Sequence, residues 1–346
     1  MALLAAGLLA QAPRFGAQIP VQTNYIVKPV PLTSDGASRK PHWSTDGRSL
    51  MLISTEKGKC PQLYWVDLTT REKKLASSGA GSVRTAAPLV KSKSWVYDST
   101  QDAGEACAPA MLGSVPAEFN IFSNNEKGKI QRLASATGYD AEVDVSTAEK
   151  LIIYTSQASG DLEVWSMEWD GMNKRQLTKS PGYDGDPNVS NDGRRIVFRS
   201  TRARSADAQK QVKEQLAFAR APMSPSEIFV MNLKGLDEKQ ITSYGCSILH
   251  PAWTPDNRRI VFSADLPNCQ GDRYELFLVN LDGTGLVQLT TGSKYAGEVS
   301  FAPDGRSLAF TRDGNVYTAD WAAPAPPPET LNPRSKPENQ SHKCAR

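Results

Sequence analysis

Asp184-Gly185-Asp186 places two carboxylates around a glycine, directly before Pro187 and a polar stretch. Asp140 and Glu142 stand at the same spacing, Glu298 opens a similar stretch, and Lys40 and His250 occupy matching positions in two more. Carboxylates that converge repel one another unless a cation neutralises them. That is the chemistry of a hard-cation site or of a receptor for a cationic group. On this reading Glu142, Asp186 and Glu298 would hold a divalent ion, with Asp140, Asp184, His250 and Lys40 beside them. A plainer reading is that acidic residues cap strand starts by accepting backbone N–H bonds, in a channel where water screens their charge. The sequence leaves both open.

Nucleophilic chemistry has less support. The chain holds three histidines, His42, His250 and His342, and no G-x-S-x-G elbow that would present a serine to one of them. No catalytic residue is assigned. Five cysteines are present, Cys60, Cys107, Cys246, Cys269 and Cys344, none in a C-x-x-C pair, which argues against a zinc site. The net charge of +3 comes from 40 basic and 37 acidic residues. That balance gives no electrostatic footprint for nucleic acid.

The elements that would position these groups are repeats. "KPHWSTDGRSLMLIS" (40–54), "DPNVSNDGRRIVFRS" (186–200), "HPAWTPDNRRIVFSA" (250–264) and "EVSFAPDGRSLAFTR" (298–312) align, "EVDVSTAEKLIIYTS" (142–156) fits with its Asp-Gly lost, and 87–100 fits weakly. Each runs from an aromatic or Val through a turn dipeptide into an apolar strand. Glycine accepts the positive φ of a tight hairpin freely, and Asp or Asn tolerates it. A third strand and a short fourth follow, ending in Leu-Thr or Leu-Ala in most units. Six such units predict six four-stranded antiparallel blades stacked radially, because one sheet cannot bury both of its faces alone. The sixth unit reaches Trp321 with only three strands. "KPVPLT" (28–33) is the expected fourth, so the N-terminal strand closes the ring, with Pro29 and Pro31 tolerated on an outer edge. The fold class is therefore all-β, a six-bladed β-propeller over 22–322.

These repeats resemble the TolB-like β-propeller family, related to WD-type repeats, whose core reads P-x-W/F-S-P-D-G-(K/R)-x-I-x-F. Pro251-Ala252-Trp253-Thr254-Pro255-Asp256 and Phe301-Ala302-Pro303-Asp304-Gly305 carry the match. The resemblance implies a non-catalytic module, exported to the periplasm or beyond, that binds a protein or peptide. The family also includes propellers that gate prolyl-oligopeptidase-like enzymes. The alternatives are a propeller associated with a separate hydrolase, or a metal- or sugar-binding receptor using the acidic channel mouth. No cofactor other than that divalent cation is expected.

Blade geometry sets Cys246 near Cys269 and Cys60 near Cys107, so both pairs are disulfide candidates if their Cα atoms approach to about 5.5 Å. Cys344 is expected to stay free. Residues 203–226 interrupt blade 4 with helix-favouring residues after Ser205, a plausible N-cap, and carry an apolar stripe of Val212, Leu216 and Ala219. The helix should cover the ring beside the channel mouth, on the face of the lead-in loops, which makes that face the expected binding surface. Residues 1–17 read as a leader: "MALLAAGLLAQA" is too short to span a bilayer and ends in a cleavage-like Ala10-x-Ala12. Residues 323–346 are a Pro-rich tail expected to be flexible.

Overall fold

The computed structural model describes residues 18–324 apart from 58, 90–93, 105–106, 108–117, 126, 135–137, 203–204 and 218–224, so the leader, most of the tail, Cys344 and much of the long blade 2 loop lie outside the described residues. Six four-stranded antiparallel sheets make up the fold. Blade 1 starts at Ser38–Trp43, blade 2 at Val83–Pro88, blade 3 at Asp140–Ser146, blade 4 at Asp184–Val189, blade 5 at Ile248–Trp253 and blade 6 at Ala296–Phe301. The second strands, such as Ser49–Ser54 and Arg259–Ala264, are almost wholly buried because both of their faces meet a neighbouring blade.

Ring closure follows the sequence reading. Ile26–Pro31 pairs antiparallel with Asn315–Trp321, placing Ile26 opposite Trp321 and Pro31 opposite Tyr317. Each gap between blades carries its own apolar cluster. Trp253, Phe262 and Phe277 pack with Val197 and Val230 between blades 5 and 4, Leu308 and Phe310 with Val261 and Leu278 between 6 and 5, and Trp43 and Leu50 with Ala302 and Ala309 between 1 and 6. Phe198, Phe262 and Phe310 hold equivalent second-strand positions, are essentially unexposed, and stack on Phe229, Phe277 and Tyr317 of the third strand. The core is thus distributed around a ring, which leaves the axis to be lined by the first strands.

The insertion forms a helix, α1 (Ala206–Ala217), with the Ser205 hydroxyl accepting the N–H of Ala208. Val212 is buried beneath it, whereas the side chains of Leu216 and Ala219 lie outside the described residues. Among the described residues no helix is long and apolar enough to cross a membrane.

Candidate functional site at the propeller axis

Every first strand breaks register near its middle, between Arg39 and His42, Val83 and Ala86, Ala141 and Asp144, Gly185 and Asn188, Leu249 and Ala252, and Gly297 and Ser300. Each break is a one-residue bulge. In five blades the bulged residue takes a positive φ: Lys40 (50°), Glu142 (58°), Asp186 (55°), His250 (50°) and Glu298 (57°). Such a φ is uncommon away from glycine and is confined to places where the surroundings hold it. Here the bulge turns the backbone N–H out of its own sheet and toward the preceding blade.

The acidic residues receive those N–H groups. Lys40 donates to Glu298 Oε2 (2.9 Å), Glu142 to Asp98 Oδ2 (2.7 Å), Asp186 to Glu142 Oε2 (2.9 Å) and His250 to Asp186 Oδ2 (2.8 Å). Four of the six blade junctions are therefore tied by one side-chain-to-backbone bond at the same height. Between blades 5 and 6 the ring Nε2 of His250 lies 3.8 Å from Glu298 Oε1. Blade 2 has no acid in the column. By register Thr85 occupies that position, and Thr85 hydrogen-bonds to Asp98 from the second strand.

The charges at this level are largely balanced within the chain. His250 Nδ1 lies 2.8 Å from Asp186 Oδ2, and Arg199 Nε lies 3.8 Å from the same oxygen. Burial pushes the Asp186 carboxyl up, but the charges of His250, Lys40 and Arg199 outweigh it and hold the group well below the usual carboxylate range. Glu298 is shifted down for the same reasons, against its burial, by His250, Lys40 and Arg39. Glu142 instead accepts from Tyr139 (3.1 Å), Tyr183 (2.6 Å) and Thr155 (2.7 Å) besides the Asp186 N–H. The repulsion that would call for a divalent ion is met by resident cations and donors.

Asp140 and Asp184 sit elsewhere. Asp140 accepts the Ser156 hydroxyl at 2.5 Å inside blade 3, and Asp184 faces Arg202, 3.4 Å away, inside blade 4. Both are buried, and neither lines the axis. The bulge explains the separation: it interrupts the two-residue alternation of the strand, so a spacing of two no longer means a shared face.

Lys40, Asp186, His250 and Glu298 do converge, at one end of an axial cavity of about 460 Å³. Its wall continues through Pro41, Pro187 and Pro251 to the first-to-second-strand turns, at Thr45, Thr147, Asn191 and Pro303. The cavity therefore opens on the hairpin face, opposite the lead-in loops that the sequence favoured. On the lead-in side Tyr139 and Tyr183 are fully buried over Glu142, with Arg84 and Arg199 stacked on their rings.

One tier of the cavity escaped the sequence reading. Two residues past the column stand His42, Asp144, Asn188 and Ser300. His42 Nε2 reaches from blade 1 to Asp144 Oδ1 of blade 3 at 3.6 Å, while Asp144 Oδ2 accepts from Asn188 Nδ2 (3.0 Å) and the Val189 N–H (2.7 Å). Burial pulls His42 down, yet the Asp144 bond and charge prevail and its pKa is raised. The signal was present, as a polar residue at the same offset in four repeats, but the bulge hides that offset.

With this geometry in place, comparison with known proteins becomes informative. Two curated relatives are TolB homologues: one from Chlorobium luteolum, 28% identical over 167 residues, and one from Chlorobium chlorochromatii, 33% identical over 159. Over about half its length the chain is similar in sequence to TolB homologues. The aligned stretches cover 47% and 46% of it, but only 32% and 30% of those proteins. No family model matches. A putative TolB structure from Agrobacterium tumefaciens superposes with a TM-score of 0.56 at 18% identity, covering 83% of this chain and 91% of that one. Enzymes share the fold as well. An oligogalacturonate lyase in complex with manganese gives 0.53 at 16% identity (84% and 79% covered), and a Xanthomonas campestris gluconolactonase gives 0.60 at 12% (89% and 96%). At such identities the likeness speaks for the fold alone.

Proposed function

We propose that this TolB-like propeller is a non-catalytic binding module that takes a protein or peptide segment at the hairpin-face mouth of the axial cavity, in an exported, periplasmic setting. The observation that carries this reading is the cavity itself. It is open at one end, proline-walled, and lined near its inner end by both signs of charge on residues fixed by blade-to-blade bonds. A pre-organised polar floor below a wall of mixed proline, aromatic and polar residues suits a chain that presents both backbone amides and side chains. Export fits the two cysteine pairs, Cys60–Cys107 and Cys246–Cys269, each bridged with Cα atoms 5.0 and 4.7 Å apart. The resemblance to TolB homologues points the same way.

Thr147, exposed at the rim, gives the test. Thr147→Trp would block the mouth without touching the core. A binding module should retain a partner from the native cell extract as wild type and release it as this variant. Turnover of small esters, peptides or pectic oligosaccharides by the purified chain, abolished by the same variant, would replace this reading with an enzymatic one.

A further inference from the structure

The start of the third strand carries a repeated tether. In blade 4 Glu227 accepts the Thr242 hydroxyl through Oε2 (2.6 Å) and the Gly245 N–H through Oε1 (2.7 Å). In blade 5 Glu275 does the same with Thr290 (2.6 Å) and the Ser293 N–H (2.7 Å). Blade 1 uses Gln62, which accepts the Ser77 hydroxyl (2.7 Å) and donates to the Gly81 carbonyl (2.7 Å). Each tether fixes the loop leading into the next blade.

Blade 3 keeps half of this device. Glu163 accepts the Thr178 hydroxyl at 2.5 Å. The loop donor falls 18 residues after the glutamate in blades 4 and 5, and that position here is Pro181, which has no N–H to give. The neighbouring Gly182 N–H goes to Asp161 Oδ2 instead (2.9 Å). Glu163 is only 3% exposed and lacks the loop N–H that Glu227 and Glu275 accept.

A cavity of about 450 Å³ lies at this point, off the axis. Asp161, Glu163 and Pro181 line it from blade 3, Gln209, Val212 and Lys213 from α1, and Lys179 from the lead-in loop. Burial, with Asp184 and Asp161 nearby and against the Thr178 bond and the Arg202 charge, pushes the Glu163 carboxyl up to about 8. An ammonium group placed here would replace the missing N–H and the proton together.

We propose that this cavity is a second ligand site, selective for a small zwitterion such as a free amino acid or dipeptide, whose ammonium group is received by Glu163 and Asp161 and whose carboxylate is received by Lys179 and Lys213. The site is independent of the axial cavity. Lys213 sits on α1, the helix inserted into blade 4, so that insertion supplies half of the recognition.

The test is calorimetric titration with L-alanyl-L-alanine, its N-acetyl form and its C-terminal amide. The free dipeptide is expected to bind saturably, and each blocked form to lose affinity by about tenfold or more. Glu163→Gln and Lys213→Ala should each weaken the free dipeptide by a similar factor, and Thr147→Trp should leave it unchanged. Lys213 is exposed on α1, so its variant stays folded even if the blade 3 variant does not. Absence of binding to the folded wild type, equal binding of the N-acetyl form, indifference to Lys213→Ala, or loss of binding in Thr147→Trp would each overturn the proposal.

Discussion

Asp186 Oδ2 accepts the backbone N–H of His250 and stands 2.8 Å from the ring Nδ1 of the same residue, so one carboxylate oxygen fixes both the chain and the side chain of the next blade. The acidic column is thereby a structural fastening as well as part of the cavity lining. Asp186→Ala removes the carboxylate beside His250 and Arg199, both largely buried, and should cost about 3–5 kcal/mol in urea unfolding. Asp186→Asn, which keeps an acceptor oxygen, should cost distinctly less.

Because Lys40, His250 and Arg199 already offset the carboxylates, calcium, magnesium, manganese and zinc are expected to give no saturable heat on titration into the protein at neutral pH. A heat that appears with wild type and disappears with Asp186→Ala would restore the cation-site reading.

The His42–Asp144 contact spans the cavity from blade 1 to blade 3. The pKa of His42 is raised above its ordinary value of 6.5. A raised folded-state value means that the folded protein holds the proton more tightly than the unfolded chain. The resulting stabilisation is complete below about pH 6.5 and fades as the pH climbs through the raised value. Against a His42→Gln reference, wild type should therefore lose stability as the pH rises above about 6.5. Equal pH dependence of the two proteins would disprove the contact.

The Cys60–Cys107 bridge closes a separation of 47 residues, for which chain entropy gives a contribution of about 4 kcal/mol. Reduction, or the double substitution to Ser, should lower the thermal midpoint by several degrees. Titration of denatured, unreduced protein should find one thiol among the five cysteines. Five reactive thiols would show that neither bridge forms.

The repeats were legible because their signals are local. Asp46-Gly47, Asp192-Gly193 and Asp304-Gly305 mark hairpins through positive φ at glycine, and alternation marks the strands between them. Closure was legible because a unit ending at Trp321 lacked one strand and Val30 and its neighbours were available to supply it. The axial site was read only in part, since its geometry depends on the bulge. That one extra residue separates Asp184 from Asp186 and brings the polar tier at His42 and Asp144 to the axis. Nothing in the composition of a strand announces a bulge, because the positive φ falls on Lys, Glu, Asp and His rather than glycine. The face on which the cavity opens was hidden for a related reason: Tyr139 and Tyr183 read as ordinary strand aromatics until their hydroxyls are seen to converge on Glu142.

The central claim, that the hairpin-face mouth of the axial cavity binds a peptide segment, is tested most directly with a displayed random-peptide library selected on the immobilised wild-type protein. Enriched peptides would then be measured by calorimetry against wild type, Thr147→Trp and Lys213→Ala. The account predicts enriched sequences whose affinity falls by about tenfold or more in Thr147→Trp and is unchanged in Lys213→Ala. Enriched peptides that bind the Thr147→Trp protein as tightly as wild type, or a selection that enriches nothing, would contradict it.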